Sequence, residues 1–114
     1  MADSSLDLLQ GTVDVLILKA TSWGPLHGFG ISRWIRARTD GALGLQDAAL
    51  YQALHRLERR GWLASDWGSS DNNRRAKFYT LTAAGREELR ARTKDLRRYL
   101  AALFDVLDAK SAAV

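Results

Sequence analysis

The sequence predicts a mainly α-helical fold with one small β-hairpin. Apolar residues recur at helical spacing in three stretches before Gly61 and again after Thr82. The segment between them alternates apolar and polar residues around a run of turn-forming residues, which is typical of a hairpin. An apolar content of 46% over 114 residues is enough for one folded core, and so small a chain would gain stability from pairing with a second copy.

The first predicted helix covers about residues 9–21 and is apolar on a wide face. Val13, Leu16 and Ile17 lie at helical spacing, and neighbouring apolar residues widen the stripe. A helix that is apolar on so many sides has to be buried on more than one of them. We therefore expect these three residues to contact a second subunit as well as their own domain.

The second predicted helix covers about residues 26–38 and is opened by Pro25, since the first turn of a helix has no use for the missing N–H. Gly28 and Gly30 each cost about 1 kcal/mol relative to Ala inside a helix. Their presence indicates a close approach of another backbone at this place. A glycine-containing turn follows, over residues 40–44.

The third predicted helix, from about residue 46 to residue 60, has the most regular pattern. Its apolar stripe repeats at i, i+4 and i+7 and consists of Leu50, Leu54 and Leu57. The remaining surface is polar and basic and consists of Tyr51, Gln52, His55, Arg56, Arg59 and Arg60. Gly61 then suits the left-handed conformation of a helix C-cap. A helix of this kind docks on a core and presents its other side to a DNA groove, although an ordinary solvated helix shows the same pattern.

A β-hairpin is predicted directly after this helix. Residues 63–67 alternate between apolar and polar side chains, and residues 78–81 are rich in aromatic and β-branched ones. Residues 68–75 between them have the composition of a turn. The tip and its flank contain Asn73, Arg74, Arg75 and Lys77. Helix, turn, basic helix and basic hairpin in this order predict a winged helix-turn-helix whose wing reaches phosphates or a minor groove. For the hairpin tip alone, the alternative is a solubilising loop.

The positive charge of the chain is concentrated in its middle. From Arg33 to Lys77, nine basic residues face five acidic ones, whereas before Arg33 the single Lys19 faces three aspartates. The formal net charge is +4. This distribution is the one that binding of a polyanion requires.

A final helix is predicted over about residues 83–109, with Thr82 as its N-cap. A seam at heptad spacing runs along it and consists of Leu89, Thr93, Leu96, Leu100, Leu103 and Leu107. Because the following residues are too few to cover this seam, we expect its leucines to form a homodimer interface. The alternative is a helix folded back on its own domain. The chain then divides into a DNA-binding winged helix-turn-helix, residues 1–82, and a dimerisation helix with its tail, residues 83–114.

A series of motifs in this chain resembles the PadR family of bacterial transcriptional regulators. In chain order they are Leu8-Leu9-Gln10-Gly11-Thr12, Gly24-Pro25-Leu26-His27-Gly28-Phe29-Gly30-Ile31, Leu50-Tyr51, Ala53-Leu54-His55-Arg56-Leu57-Glu58, Gly61-Trp62-Leu63, Arg74-Arg75-Ala76-Lys77-Phe78-Tyr79 and Leu81-Thr82-Ala83-Ala84-Gly85. They span nearly the whole chain, and the short single C-terminal helix is similar to that of the family's small subgroup.

The resemblance implies a homodimeric repressor that binds an inverted repeat in double-stranded DNA, and many family members respond to a small aromatic effector. The residues expected to contact DNA are Tyr51, Gln52, His55, Arg56, Asn73, Arg74, Arg75 and Lys77. Of these, Gln52, His55 and Arg56 are expected at base edges. Gln52 departs from the family, which usually has Pro after Leu-Tyr, and its amide is able to read adenine. The final helix lacks the Trp of multidrug-binding relatives, so no stacked-Trp effector pocket is expected.

Other classes of protein are disfavoured. With no Cys, only His27 and His55, and no Gly-rich phosphate loop or carboxylate cluster, we expect neither an enzyme nor a bound cofactor or metal. His27 is expected to pack or to cap a helix. The absence of Cys, of a signal sequence and of a membrane span fits a cytoplasmic protein. The remaining rival is a winged-helix protein–protein interaction module that does not bind DNA.

Overall fold

Four α-helices and a three-stranded antiparallel sheet make up the computed structural model, which describes residues 11–113. The elements in chain order are α1 (Thr12–Ala20), one 3₁₀ turn (Thr21–Trp23), β1 (Leu26–His27), α2 (Gly28–Arg38), α3 (Asp47–Arg59), β2 (Leu63–Ser69), β3 (Arg75–Leu81) and α4 (Ala83–Leu107). The predicted mainly α-helical fold with a small hairpin is confirmed. Residues 9 and 10 of the first predicted helix lie outside the described residues. Across residues 11–113, every helix is too short or too polar to cross a membrane.

One apolar core joins the helices to the sheet. Its largest buried side chains are Ile17, Leu18, Ile31, Ile35, Leu50, Leu54, Leu57 and Leu63. Tyr79 and Leu81 add the inner side of β3, and Leu89 packs against the core from α4. Full burial of a Leu or Ile side chain stabilises the fold by about 1.5–3 kcal/mol, so each helix is held mainly by its apolar stripe.

The sheet contains a strand that the sequence analysis did not predict. β2 and β3 pair antiparallel from Leu63 opposite Leu81 to Ser69 opposite Arg75, as expected of the hairpin. β1 then pairs with the other edge of β3 and gives the strand order β1-β3-β2. The prediction that Pro25 opens α2 is therefore wrong, because the two residues after it are extended. A strand of two residues is too short to show alternation.

His27, the second residue of β1, is the N-cap of α2. Its Nδ1 accepts a hydrogen bond of 2.9 Å from the backbone N–H of Gly30. Its ring also meets the ring of Phe78 on β3 edge-on, with centroids 5.2 Å apart. The expectation that His27 packs and caps is confirmed, and α2 is thereby joined to the sheet.

α3 has the bounds and the inner face that its periodicity predicts. Leu50, Leu54 and Leu57 are each 1% exposed or less. Gly61 has φ of 77°, in the left-handed region, and the N–H of Trp62 reaches back to the carbonyl of Leu57 at 3.1 Å. The helix therefore ends where the sequence indicates, and the chain turns directly into β2.

α1 differs from the prediction in one of its three interface residues. Val13 and Leu16 are half-buried within the single chain, whereas Ile17 is completely buried in the chain's own core. The expectation that Ile17 contacts a second subunit is thus wrong, because its side chain has no surface left to offer. The wide apolar face of α1 is used mostly within its own chain, against α2, α3 and α4.

α4 is packed at its beginning and open towards its end. Thr82 caps it as predicted, accepting from the N–H of Gly85 at 3.0 Å and donating its hydroxyl to the carbonyl of Gly61 at 2.7 Å. Leu96 and Leu100 are half-buried, while Leu103 and Leu107 are exposed by 37% and 64%. Within the described chain the second half of the seam is uncovered.

Replacing Gly85 by Ala is expected to lower the free energy of unfolding by about 2–3 kcal/mol, measured by chemical denaturation. The added Cβ would overlap the backbone carbonyl oxygen of Trp62, which cannot move without displacing the start of β2. Ala84→Gly, in the same turn but exposed, is the control and should cost less than about 1 kcal/mol. Equal destabilisation by the two substitutions would contradict the close approach of α4 to the turn after α3.

Candidate nucleic-acid interface

The outward face of α3 is polar and unobstructed. At 3.6 residues per turn, the side of the helix opposite the leucine stripe presents Gln52, His55 and Arg59, and all three are exposed. Ala48, also exposed, lies on the same side one turn earlier. A small residue followed by an amide and an imidazole lets this surface approach another molecule closely while offering hydrogen-bond donors and acceptors.

Tyr51 lies on the flank of α3 that faces the first turn of α2. Its ring is 54% exposed, and its hydroxyl is so close to Gly28 that a Cβ there would come within 3.0 Å of it. The close approach predicted at Gly28 is therefore present, but the neighbour is this side chain rather than another backbone. Gly28 leaves the space in which the phenol hydroxyl is held at the edge of the helix.

A cleft of about 810 Å³ separates α2 and Tyr51 from the hairpin formed by β2 and β3. Four basic side chains line it, Arg33, Arg74, Arg75 and Lys77, against the single carboxylate of Asp71. The hairpin tip turns at Asn73, whose φ of 59° is left-handed, and its N–H bonds the carbonyl of Ser70 at 2.8 Å. The cleft is consequently a positively charged channel that meets α3 at Tyr51, the residue next to Gln52 on the outward face.

Exposed aromatic rings in this cleft were not among the residues that the sequence analysis singled out. Phe29 is 64% exposed and Trp67 57% exposed, and each lies beneath an arginine. The Arg33 guanidinium is 5.6 Å from the centroid of the Phe29 ring, and that of Arg75 is 4.8 Å from the Trp67 ring. Such stacking orients a guanidinium while leaving its N–H groups available. Trp67 lies diagonally across from Arg75 in the hairpin register, a relation visible only once the register is known.

Arg56 occupies a different position from the one predicted. Its guanidinium donates to the carboxylate of Asp14 on α1, on the flank of α3 away from the hairpin. This placement does not support the base-edge contact expected of Arg56, because its guanidinium is paired with a carboxylate on the flank of α3 and does not extend from the outward side. The periodicity of α3 puts Arg56 on the surface, but only the fold brings Asp14 beside it.

Lys77 is held by α3 as well as lining the cleft. Its ammonium lies 3.3 Å from one carboxylate oxygen of Glu58, and the hydroxyl of Ser65 donates to the other at 2.5 Å. The Ser65 hydrogen bond, with help from Lys77, holds the pKa of Glu58 below its usual value of 4.5, although burial acts in the opposite direction. These contacts join the last turn of α3 to both strands of the hairpin.

These features define a winged-helix protein with a basic, aromatic-lined groove beside its third helix. The family model of the transcriptional regulator PadR-like family matches residues 17–91. The chain belongs to the PadR-like family of transcriptional regulators, as the sequence motifs indicated, and the family is one of regulators rather than enzymes.

Solved structures of similar proteins share the fold over most of the chain. A transcriptional regulator from Clostridium thermocellum is 27% identical, with 84% of this chain and 93% of that chain covered and a TM-score of 0.77. A PadR family transcription regulator from Clostridium difficile is 25% identical, with 85% and 99% covered and a TM-score of 0.74. Bacillus subtilis PadR, in complex with operator DNA, is 22% identical, with 70% and 45% covered and a TM-score of 0.63, and at this identity the likeness is one of fold.

Replacing Glu58 by Gln is expected to lower the free energy of unfolding at pH 7 by about 1 kcal/mol. Because the pKa of Glu58 is lower in the folded chain, its carboxylate stabilises the fold fully above pH 4.5, and this stabilisation disappears as pH falls through the lowered pKa. Thermal unfolding between pH 7 and pH 3 should therefore show the two proteins converging below pH 4.5. Glu87→Gln, which removes the exposed pair with Arg90, is the control and should track the wild type throughout. A gap that stays constant with pH would contradict the ion pair.

Proposed function

We propose that this protein is a homodimeric repressor that binds an inverted-repeat operator in double-stranded DNA. The observation that supports this most directly is the juxtaposition of the polar outward face of α3 with a cleft lined by four basic side chains and one acidic one. Such a surface matches a recognition helix in the major groove with the adjacent phosphate backbone in the cleft.

The proposal assigns different roles to the two parts of this surface. Gln52 and His55 face base edges, since they lie on the outward side of α3. Tyr51 contacts a phosphate through its hydroxyl, and Asn73, Arg74, Arg75 and Lys77 follow the backbone or the minor groove at the wing. Arg33 joins them, because it lines the same cleft. Arg56 is assigned instead to holding α3 against α1.

The dimer is proposed to form along α4, which makes residues 1–82 the DNA-binding unit and residues 83–114 the dimerisation unit. Tyr99, Phe104 and Val106 are 60%, 52% and 74% exposed, and they extend the open leucine seam. Apolar side chains in such a row stabilise an interface with a second copy. Val13 and Leu16 on α1 keep enough exposed surface to join that interface.

Two further elements of the proposal rest on the family resemblance alone. A small aromatic effector would release the protein from its operator. A bacterial repressor would act in the cytoplasm, where the chromosome lies. The rival function, a winged-helix interaction module without DNA binding, is decided by the first experiment below.

Replacing Arg74 and Arg75 together by Ala is expected to weaken DNA binding and to flatten its salt dependence, by about 0.9 in slope for each phosphate that is no longer neutralised. The measurement is fluorescence anisotropy of a labelled duplex from upstream of the protein's own gene, titrated at several salt concentrations beside a scrambled duplex. The wild type should prefer the native segment by at least about a thousandfold.

The matched control for this experiment is the double variant Arg97→Ala and Arg98→Ala, which removes the same charge from exposed positions on α4. It should keep most of the affinity and the salt slope. Gln52→Ala should instead keep the slope and lose preference for one base pair, by about 1–3 kcal/mol. A wild type that binds no DNA even at low salt would sink the proposal in favour of the interaction module.

Replacing Leu103 by Glu is expected to raise the Kd of the dimer more than a hundredfold. Each dimer loses two buried leucines, which amounts to at least about 3 kcal/mol. Light scattering over a concentration series measures the change as a fall from twice the chain mass to the chain mass. Arg98→Glu, on the side of α4 away from both the leucine seam and the exposed apolar residues that extend it, should leave the mass unchanged. A wild type with the mass of one chain at all concentrations would refute the dimer.

A further inference from the structure

Asp14 lies at the meeting point of α1, α3 and α4. The residue is only 8% exposed, yet each of its carboxylate oxygens faces a guanidinium from a different helix. Arg56 of α3 donates to Oδ1, and Nη1 of Arg92 on α4 lies 3.5 Å from Oδ2. One carboxylate on α1 is therefore a common anchor for the recognition helix and for the helix proposed to form the dimer.

Arg92 is itself fixed by two further contacts. Its Nε donates to Glu88 at 2.6 Å, one turn earlier on α4, and its guanidinium lies 5.0 Å from the centroid of the Trp62 ring. Trp62 directly follows Gly61, the residue at which the chain leaves α3. Since the capping hydroxyl of Thr82 also bonds the Gly61 carbonyl, α4 is attached to the end of α3 at two separate places.

Stability alone is a weak explanation for this arrangement. The Asp14 carboxylate is nearly buried, and its pairing with two half-buried guanidiniums gains little over well-packed apolar side chains, because the carboxylate has to be stripped of water first. Its hydrogen bonds are directional, however, and they restrict how the helices slide and rotate against one another. Leucine contacts of the kind found elsewhere in this core impose no comparable direction.

We propose that Asp14 is a positioning residue which, through Arg56 and Arg92, sets the angle between α3 and α4 and hence the spacing of the two recognition helices in the homodimer. The inference rests on the proposed function, since only a dimer built on α4 converts that angle into a distance. From Arg92 to Leu107, α4 extends by about 22 Å. A rotation of about 10° at the anchor therefore displaces its far end by about 4 Å, which exceeds one base-pair step of about 3.4 Å.

The first test measures the distance between recognition helices directly. Because the chain contains no Cys, Ala48→Cys on the outward side of α3 accepts a single spin label in each subunit. Pulsed dipolar spectroscopy then gives the inter-label distance distribution in the dimer. We expect a narrow distribution in the parent protein, and one at least twice as broad, or shifted by several ångströms, in Asp14→Asn and in Arg92→Met.

The variants are chosen so that loss of stability does not imitate the expected result. Arg92→Met keeps an apolar contact with Trp62 and leaves the Arg56–Asp14 pair in place. Of the polar contacts between helices it breaks only the pair of Arg92 with Asp14, since the hydrogen bond to Glu88 that is also lost lies within α4. Glu87→Gln removes an exposed pair on the same helix and should leave the distribution unchanged. Thermal unfolding of each variant shows that the labelled proteins are folded at the temperature of the measurement.

The second test uses Cys-free proteins and operators whose half-sites are moved apart one base pair at a time. The wild type should prefer one spacing at least tenfold, whereas Asp14→Asn and Arg92→Met should prefer it less than about threefold and bind a single half-site within twofold of the wild type. Unchanged distances and an unchanged spacing preference in both variants would overturn the positioning role while leaving the proposed function intact. A parent protein without a dipolar signal, or without DNA binding, would overturn the inference together with the proposed function.

Discussion

The burial of the leucine stripe on α3 is the constraint on which the rest of this molecule depends. Leu50, Leu54 and Leu57 lose nearly all of their exposure to the core, and this fixes the rotation of the helix about its own axis. A rotation of one residue position would expose one of these leucines and bury a polar group, at a cost of several kcal/mol. Gln52 and His55 therefore face outward because of packing on the other side of the helix. The outward face is a consequence of the core and needs no contacts of its own to hold it.

Electrostatic contacts divide the basic side chains around this face into two kinds. Arg56 and Lys77 are neutralised locally by Asp14 and Glu58, which join α3 to α1 and to the hairpin. Arg74, by contrast, is exposed at the hairpin tip, where the chain turns away from the core. A net charge counted along the sequence gives all of these cations equal weight. Among residues 11–113, ion pairs hold Arg56 and Lys77 but not the arginines of the tip and the cleft, so these arginines are the cations most available to a partner.

The features that were predictable from the sequence are those with a local cause. The helical periodicity around Leu54, the left-handed Gly61 and the capping Thr82 each act within one or two turns of chain, and all were predicted. The misses have causes at long range. β1 forms by pairing with the edge of β3, which lies far along the chain. The Asp14–Arg56 pair likewise joins residues 42 positions apart. Ile17 was misassigned because a wide apolar face does not reveal which part of it the chain's own core will cover.

Under the proposed function, the open end of α4 and the outward face of α3 require each other. One recognition helix reaches only a few base pairs, and each correct pair contributes about 1–3 kcal/mol of discrimination. Specific binding typically requires about 4–10 kcal/mol over non-specific binding, which a single α3 reaches with difficulty. Two copies held at a fixed distance double the number of pairs read without enlarging the domain. The apolar row from Leu100 to Leu107 is costly to leave in water. As an interface, it holds a second copy of the chain and so adds a second recognition helix. The polar contacts at the beginning of α4 then matter as much as its leucines. Affinity between the two copies improves sequence-specific DNA binding only if the distance between their recognition helices is fixed as well.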